Sequence, residues 1–559
     1  MTRIAAEDYL DALAAHGIEH LFVNPGTDFP PIVEAFSRAA GTNRKVPRPM
    51  VVPHEGVAVA MAHGYTAVTG RPQAVMLHTN VGTANAINML INASRDRVPM
   101  LLTSGRTPYT ESGAEGSRSA HIQWAQEMFD QAGMLRELVK WEYEMRRGDQ
   151  AATAVDRALE IASASPQGPV YLSLPREVLG ERVSAPAVSS RDRRAEPRPP
   201  VAQPDDIETL ADWIAEARNP LIISGMLGKD PRDSVVLARL AERYALPVIP
   251  YHTRYFALSA DHPMFQGSLP GPLLEDADLV IVFETDVPWL PTKQSPPSHA
   301  RIVQIGEDPL HSRLPMRSFP SDLTITATCL SVLEALEIAL DRRAAPHVAA
   351  RDTRLRDRSQ RLHDGWKREA EQAGEAGGIT LPWLNHCLRE VIDAGTKVIS
   401  EYSFRQEYCP LANPGSLFAL SNAGGLGWGF PASLGVKLAS PGSLVLSVLG
   451  DGAYMFSNPT ACHYVSQMQN LPVLTIIYNN GLYGAVRHAT LDMYGHGLAA
   501  EADGRLLADL PAPRFEKIVA AHDGHAERVD RPADVPAALQ RAAAAVRGGN
   551  QALVNVVCN

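Results

Sequence analysis

Two residues near the C-terminus have the types and the spacing that can hold a metal ion. Asp451 stands between two glycines in the run GDG at 450–452, and Asn480 belongs to the run NNG at 479–481. A carboxylate beside an amide oxygen suits Mg²⁺, and the glycines let a ligand approach the backbone. The pair therefore indicates a site where Mg²⁺ holds a diphosphate. An ordinary strand–helix–strand turn can carry the same letters, but the pair at this spacing is far more specific than a lone GDG.

The intervening sequence predicts the elements that would bring this pair together. The apolar run 444–449 has the length of a buried strand and ends at the GDG turn. Asn458 is a typical helix N-cap with Pro459 at the first helical position, and the helix should reach about Asn470. Residues 471–478 then form a second apolar strand. Because parallel strands joined by a right-handed crossover end at the same sheet edge, the two polar residues should converge.

A second group of polar residues lies at three predicted strand ends within the first 83 residues. These strand ends present Thr27, Glu55 and His78, and ligands bind at the carboxyl ends of strands in open α/β sheets. Taken alone, Glu55 is typical of a solvated acid at a helix start, and His78 of a satisfied interior histidine. Their common position at strand ends favours a functional cluster.

These motifs resemble the thiamine diphosphate (ThDP) enzymes of the pyruvate decarboxylase and acetolactate synthase superfamily, in which GDG is followed by NN at this spacing. The resemblance covers nearly all 559 residues. Within the superfamily, the chain is most similar to benzoylformate decarboxylases and to acetolactate-synthase-like ThDP-requiring proteins. The matching stretches are NPGT at 24–27, HEG at 54–56, LHTNVGTANA at 77–86, VKWEYE at 139–144, SPQGPVYLSLP at 165–175, GGLGWGFPASLGVKLA at 424–439 and NNGLYGAVR at 479–487.

The resemblance implies how the cofactors, ThDP and Mg²⁺, would be held. The expected metal ligands are Asp451, Asn480 and the carbonyl of Leu482. The expected contacts to the diphosphate are Gly452, Ala453, Tyr483 and Ser403. Ala453 stands where the family usually has serine, so one hydroxyl contact to phosphate is lost.

The resemblance also implies how the cofactor rings would be bent and activated. Leu426 would support the bend between the two rings, and the carbonyl of Gly424 would accept from the 4′-amino group. The carboxyl of Glu55 would hydrogen-bond N1′ of the aminopyrimidine. In this family Glu55 and Asp451 would come from different subunits, which implies a homodimer or homotetramer with active sites at the subunit interface.

On the substrate side, His78 and Thr27 match two polar residues of benzoylformate decarboxylases, with threonine replacing serine. The middle-domain histidine of those enzymes is missing, since the chain reads TDVPWLP at 285–291. His488 and Ala489 occupy positions that are aromatic in the family, so an acid–base histidine has moved or the pocket is wider.

An insertion at 112–126 adds polar and aromatic residues near the expected entrance of the site. These residues are His121, Trp124 and Gln126. We interpret them as surface-loop residues rather than catalytic ones.

Two stretches read as linkers and divide the chain into three domains. Residues 184–206 are rich in Pro, Arg and Ser, and residues 341–361 are charged and lack apolar periodicity until they join a helix. The predicted domains are an N-terminal pyrimidine-binding domain at 1–185, a middle domain at 190–342 and a C-terminal diphosphate-binding domain at 360–559. Each alternates apolar strands with amphipathic helices, which predicts an α/β fold with three parallel sheets. The middle domain lacks GxGxxG with a following acid, so FAD or another nucleotide there stays an open question.

Composition excludes several classes of protein. The net charge is −10 and the pI about 6.0, which argues against general nucleic-acid binding. The five cysteines have no metal-ligand spacing and fit a reducing compartment. The N-terminus predicts an acid-containing amphipathic helix leading to a strand rather than a signal peptide, and no apolar run reaches membrane-spanning length. We therefore expect a cytoplasmic protein without membrane partners.

The sequence favours a ThDP- and Mg²⁺-dependent lyase that cleaves the C–C bond next to the carbonyl of a 2-keto acid and releases CO₂. The remaining fragment would leave as an aldehyde or join a second carbonyl. The alternatives are an acetolactate-synthase-like ligase, a lyase of 2-hydroxy ketones or 2-hydroxyacyl-CoA, and a catalytically silent regulatory homologue. Intact Glu55, Asp451, Asn480 and Leu426 argue against the silent homologue.

Overall fold

The N-terminal part of the chain builds a six-stranded parallel sheet. The computed structural model describes residues 3–183, 197–375, 377–511 and 513–558. The strands of this part are β1 Arg3–Ile4, β2 His20–Val23, β3 Arg48–Val51, β4 Gln73–Leu77, β5 Met100–Arg106, β6 Glu142–Glu144, β7 Pro169–Pro175 and β8 Arg182–Val183. The order is β3-β2-β4-β5-β7-β6, and β1 pairs with β8 in a separate antiparallel ribbon. Strands β4, β5 and β7 are buried along nearly all their length, as expected where both faces of a parallel sheet are covered.

The middle and C-terminal parts each add another parallel sheet. The middle strands are β9 Pro220–Ser224, β10 Val248–Pro250, β11 Leu279–Phe283, β12 Arg301–Gly306 and β13 Leu323–Thr326. The C-terminal strands are β14 Lys397–Glu401, β15 Leu417–Ala419, β16 Val445–Gly450, β17 Leu474–Asn479, β18 His525–Val529 and β19 Ala552–Val557. Their orders are β10-β9-β11-β12-β13 and β15-β14-β16-β17-β19-β18. The predicted α/β class with three parallel sheets is confirmed.

Helices connect these strands throughout. They are α1 Ala5–Ala15, α2 Pro30–Gly41, α3 Glu55–Thr69, α4 Thr79–Arg95, α5 Ile122–Ala125, α6 Ala151–Ser163, α7 Arg176–Gly180, α8 Pro204–Glu216, α9 Pro231–Tyr244, α10 Gly271–Glu275, α11 Cys329–Leu340, α12 Val348–Glu375, α13 Leu381–Leu388, α14 Gly429–Ala439, α15 Asp451–Phe456, α16 Pro459–Gln469, α17 Gly484–Tyr494, α18 Leu498–Glu501, α19 Glu516–Ala520 and α20 Val535–Arg547. The predicted N-terminal helix is α1, which leads to β2. No helix in the described ranges is both long and apolar enough to cross a membrane.

The chain divides into two compact units. Unit 1 contains residues 1–198, 421–441 and 457–471, and unit 2 contains residues 199–420, 442–456 and 472–559. Unit 1 therefore holds the first sheet together with α14 and α16, whereas unit 2 holds the second and third sheets.

Within unit 1, α3 and α14 touch at their backbones because glycines stand at the crossing. A Cβ on Gly64 would lie 2.1 Å from the carbonyl oxygen of Ala432. A Cβ on Gly435 would lie 1.9 Å from the carbonyl oxygen of Met61. Any larger residue at either glycine would push the helices apart. The crossing holds α3, which starts at Glu55, against α14, which follows the loop GGLG at 424–427. We call this loop the GGLG loop.

The two predicted linkers have different outcomes. Residues 184–196 of the first lie outside the described residues, and α8 begins at Pro204. The second stretch joins a helix, as predicted, but that helix, α12, begins at Val348, so residues 348–361 are helical and the linker prediction is wrong for them. The buried guanidinium of Arg351 anchors this charged helix by donating to the carbonyl oxygens of Ala217, Tyr244 and Ala245. Such a tertiary anchor is not visible in apolar periodicity.

Candidate active site

In unit 2, the GDG and NNG runs follow two neighbouring parallel strands. β16 ends at Gly450 and β17 at Asn479, with Gly450 opposite Tyr478. The predicted strand–helix–strand order is confirmed, but Asp451 begins an additional short helix, α15. Asn458 precedes α16 as predicted, yet it adopts the left-handed conformation (φ 55°) rather than the extended one of an N-cap. The chain must turn sharply between two consecutive helices there, and asparagine tolerates that conformation.

Asp451 and the loop that carries Asn480 meet at this sheet edge. The carboxylate of Asp451 accepts from the backbone N–H of Gly452 (2.7 Å) and of Gly481 (2.8 Å). The side-chain oxygen of Asn480 accepts from the backbone N–H of Leu482 (3.1 Å). Burial raises the pKa of Asp451, and the backbone donors oppose that rise. A buried carboxylate next to an amide oxygen is a hard-oxygen donor set that a divalent cation would stabilise.

The other predicted diphosphate contacts also belong to unit 2. Ala453 and Ser403 are buried, and the carbonyl of Ser403 accepts from the side chain of Asn385 (3.0 Å). The ring of Tyr483 packs over Gly452, where a Cβ would lie 3.0 Å from it. The backbone N–H of Tyr483 already donates to the carbonyl of Ala508 (2.7 Å), so a phosphate would have to replace that acceptor.

In unit 1, Glu55 is the first residue of α3 and is held by α4. Its carboxylate accepts from the side-chain amide of Asn85 (2.6 Å). Gly82, one turn earlier on α4, leaves room for the carboxylate, since a Cβ there would lie 3.3 Å from it. The neighbouring His54 also approaches Asn85, and burial lowers the pKa of this imidazole. Glu55 is thus fixed in direction by one neutral donor.

The same face of α4 fixes the GGLG loop. Asn88 donates to the carbonyl of Leu426 (3.1 Å). Asn92, fully buried, donates to the carbonyl of Gly425 (2.7 Å) and accepts from its N–H (3.0 Å). Gly424 has φ 67°, a left-handed conformation that suits glycine. Three asparagines at helical spacing therefore join Glu55 and Leu426 to one helix, and sequence reasoning missed all three although their i, i+3, i+7 spacing was visible.

His78 has a partner that sequence reasoning also missed. It follows β4, and its Nδ1 lies 2.5 Å from the carboxylate of Asp28. Asp28 is only 3% exposed, whereas the preceding Thr27 is exposed. The sequence signal was the acid directly after Thr27 at the same strand end.

Of the three insertion residues, one reaches His78. The side-chain nitrogen of Gln126 lies 3.3 Å from Nε2 of His78. His121 and Trp124 are exposed, as expected of surface-loop residues. In unit 2, His488 and Ala489 lie exposed on α17, and Thr285 is buried and donates to the carbonyl of Phe283.

Comparison with known proteins identifies the family. Three thiamine pyrophosphate (TPP) enzyme domains match the chain: the N-terminal TPP binding domain over residues 4–134, the central domain over 207–336 and the C-terminal TPP binding domain over 400–556. The benzoylformate decarboxylase of Pseudomonas aeruginosa is 28% identical over 560 positions, covering 93% of this chain and 96% of that protein. The sulfoacetaldehyde acetyltransferase of Castellaniella defragrans is 26% identical, covering 96% of this chain and 90% of that protein.

Solved structures show the same fold. The thiamine diphosphate-dependent 4-hydroxybenzoylformate decarboxylase of Rhodococcus jostii RHA1 superposes with a TM-score of 0.78 at 23% identity, over 100% of this chain and 99% of that one. The benzoylformate decarboxylase of Polynucleobacter necessarius has a TM-score of 0.80 at 20% identity, with the same coverage. The chain, with its N-terminal, central and C-terminal domains, therefore belongs to the family of thiamine pyrophosphate (ThDP) enzymes and is related to benzoylformate decarboxylase.

Proposed function

We propose that the protein is a ThDP- and Mg²⁺-dependent lyase that decarboxylates a 2-keto acid. The observation that carries this proposal is the placement of His78 at the carboxyl end of β4, paired with the buried Asp28 that follows Thr27. An oriented imidazole can hold or move a proton near neutral pH. That task belongs to any cleavage in which a carboxylate leaves and a proton takes its place.

The donor set in unit 2 supports Mg²⁺ and a diphosphate. Asp451, Asn480 and the carbonyl of Leu482 would ligate the metal, whose charge would offset the burial of Asp451. When bound, ThDP supplies the electron sink for cleavage of the C–C bond beside a carbonyl. The proposed diphosphate contacts are Gly452, Ala453, Ser403 and Tyr483.

The unit 1 contacts support a role for Glu55 and Leu426 toward the cofactor rings. Glu55 would hold a proton at the aminopyrimidine nitrogen, and Asn85 keeps its carboxylate in one orientation. Leu426 would support the bent cofactor, and the carbonyl of Gly424 would accept from its amino group. Asn92 holds this loop through the backbone of Gly425, so the Leu426 side chain starts from a fixed backbone.

We propose that His78 and Thr27 face the substrate. The imidazole would bind the leaving carboxylate or move a proton at the reacting carbon, and the exposed Thr27 hydroxyl would orient the acid. A second outcome, transfer of the remaining fragment to another carbonyl, is favoured by the small Ala489, which replaces an aromatic residue of benzoylformate decarboxylases. The acetyltransferase relative supports keeping this outcome.

We propose further that the active protein is a homodimer or homotetramer. In unit 2, large apolar side chains near Asp451 are exposed: Tyr402 by 56%, Met455 by 47% and Phe456 by 57%. Clustered apolar exposure of this kind is typical of surfaces that another protein covers.

The test is incubation of the protein with ThDP, Mg²⁺ and a panel of aromatic and aliphatic 2-keto acids, with products identified by mass spectrometry. An aldehyde one carbon shorter than the acid supports the lyase, and a 2-hydroxy ketone or 2-hydroxy acid with the carbons of both reactants less the one lost as CO₂ supports ligation. The matched control is Asp451→Ala, which should yield neither. Consumption of no 2-keto acid by the loaded wild type would contradict the proposal.

A further inference from the structure

We propose that Asp28 is a positioning residue that keeps the imidazole proton of His78 on Nδ1, and that Gln126 of the insertion is the partner of Nε2 in both protonation states of that ring. Residues 112–126 would then contribute to proton transfer rather than only to the surface. This inference rests on the proposed function, because it takes His78 as the group that acts on the substrate.

The carboxylate of Asp28 contacts the imidazole of His78 through Nδ1. Oδ1 of Asp28 lies 2.5 Å from Nδ1, and Oδ2 accepts from the backbone N–H of Thr79 (3.4 Å). An ionised carboxylate only accepts, so Nδ1 must carry the hydrogen. The neutral ring is then left with a lone pair on Nε2, the nitrogen that can take a proton.

The side chains of His78 and Asp28 lie in narrow spaces next to glycines. A Cβ on Gly26 would lie 2.2 Å from the His78 ring, and a Cβ on Gly105 would lie 1.6 Å from the Asp28 carboxylate. Neither space has room for a larger neighbour, so the imidazole and the carboxylate are confined in one relative orientation. Thr79, directly after His78, has φ 40°, a strained conformation for a β-branched residue. Such strain is found where the surrounding structure dictates a side chain's direction.

The side-chain amide of Gln126 lies next to the other ring nitrogen of His78. Its nitrogen lies 3.3 Å from Nε2 of His78 and can donate to the lone pair of the neutral ring. Its oxygen is buried and has no hydrogen-bond partner among the described residues. After Nε2 gains a proton, a half-turn of the amide would bring that oxygen to the N–H. Gln126 thereby offers a partner to either state of the ring without adding a charge.

Hydrogen bonds anchor the insertion at 112–126 to the strand end that carries Thr27. The buried guanidinium of Arg176 donates to the carbonyls of Gly116 (2.6 Å) and Ser117 (2.6 Å), and also to that of Thr27 (3.1 Å). At the other end of the insertion, Arg118 pairs with Glu127 (2.7 Å). Gln126 is therefore presented by an anchored loop, next to a residue that an ion pair holds.

The test is magic-angle-spinning NMR of protein labelled with ¹⁵N-histidine, with His78 assigned by its loss in His78→Gln. Wild-type His78 should be the Nδ1–H tautomer when neutral. Asp28→Asn, whose amide can donate as well as accept, should populate the Nε2–H tautomer. With a 2-keto acid substrate it should lower kcat by about 10²–10⁴-fold, with KM and ThDP affinity changed far less. The exposed Asp130→Asn is the matched control and should change neither readout.

Gln126→Met tests the loop, since methionine keeps the length of the side chain and removes its polar atoms. It should keep the tautomer, shift the ¹⁵N signal of Nε2 and lower kcat by up to about tenfold, the usual weight of one neutral hydrogen bond. An Nε2–H tautomer in the wild type, or an unchanged tautomer in Asp28→Asn, would overturn the role of Asp28. An unmoved Nε2 signal in Gln126→Met would overturn the role of Gln126. If the wild type consumed no 2-keto acid, the proposed function would fail, but the NMR spectra would still decide both positioning roles. If Asp28→Asn did not fold, the tautomer of wild-type His78 and the Nε2 signal of Gln126→Met would still decide them.

Discussion

The carboxylate of Asp451 accepts a hydrogen bond from the backbone N–H of Gly481 over 2.8 Å, although the two residues are 30 positions apart. The contact exists because β16 and β17 are parallel neighbours whose carboxyl ends share one sheet edge. It places a buried carboxylate against the loop that carries Asn480, which is the arrangement that the proposed metal site requires.

Replacing Asp451 or Asn480 should abolish Mg²⁺-dependent cofactor binding. Asp451→Ala and Asn480→Ala each remove a proposed oxygen ligand of the metal, so ThDP should no longer bind at micromolar concentration. Isothermal titration calorimetry with ThDP in the presence of Mg²⁺ measures this. The exposed Asp530→Ala is the control and should bind normally. Retained Mg²⁺-dependent affinity in both variants would refute the metal site.

Glu55→Gln should bind ThDP nearly as well as the wild type and activate it poorly. Glutamine keeps the shape and the contact to Asn85 but cannot share a proton, and such contributions are typically about 10²–10⁴-fold. The readout is hydrogen–deuterium exchange at C2 of bound ThDP, followed by quenched-flow NMR. Exchange at the wild-type rate would exclude the proposed role of Glu55.

His78→Ala should strongly reduce turnover with little change in ThDP affinity. The imidazole, oriented by Asp28, is the proposed proton carrier, and alanine cannot replace it. His121→Ala, which removes an exposed histidine of the insertion, is the matched control. If His78→Ala turned over its substrate normally, the acid–base group would have to be sought at His488 or His121.

Subunits with complementary defects should restore activity when mixed. If Glu55 and Asp451 of one active site come from different chains, a hybrid of Glu55→Gln and Asp451→Ala subunits contains one intact site. Part of the wild-type activity should then return after subunit exchange. A fully active monomer in analytical ultracentrifugation would rule out the oligomer proposal.

The middle domain offers a prediction about stability. Burial raises the pKa of Asp233 to about 7, which the hydrogen bond from the backbone N–H of Gly228 only partly opposes. The folded state thus binds more protons than the unfolded state between pH about 4 and about 7, so stability falls as pH rises through this window, by at most about 4 kcal/mol.

Asp233→Asn removes this titration. The melting temperature of the variant relative to the wild type should therefore rise between pH 5 and pH 8, as measured by differential scanning fluorimetry. The exposed Asp276→Asn should show no such trend. An identical pH dependence of melting in wild type and Asp233→Asn would contradict the assignment.

The sequence could predict the sheets and the meeting of Asp451 with the NNG loop, because apolar strand runs and their polar ends are local features of the chain. It could not predict Asp28 as the partner of His78, or the asparagines of α4 as partners of Glu55 and the GGLG loop. Those hydrogen bonds join residues distant in sequence, so the helical spacing of the asparagines and the acid directly after Thr27 indicate polar residues on one side but do not identify their partners.

Two local predictions are confirmed only in part. Asn458 is the N-cap residue of α16 and Pro459 opens that helix, as predicted, but Asn458 is left-handed and its side chain makes no capping hydrogen bond. The charged stretch after residue 347 is helical, since Val348, Leu355 and Trp366 pack against the core of the middle domain and carbonyls of that domain hold Arg351.

The most direct test of the central claim is the release of ¹³CO₂ from carboxyl-labelled 2-keto acids. We expect steady release by the wild type that requires both ThDP and Mg²⁺ and is lost in Asp451→Ala. Release that continues without added ThDP in fully stripped protein, or no release from any acid tested by the loaded protein, would contradict it.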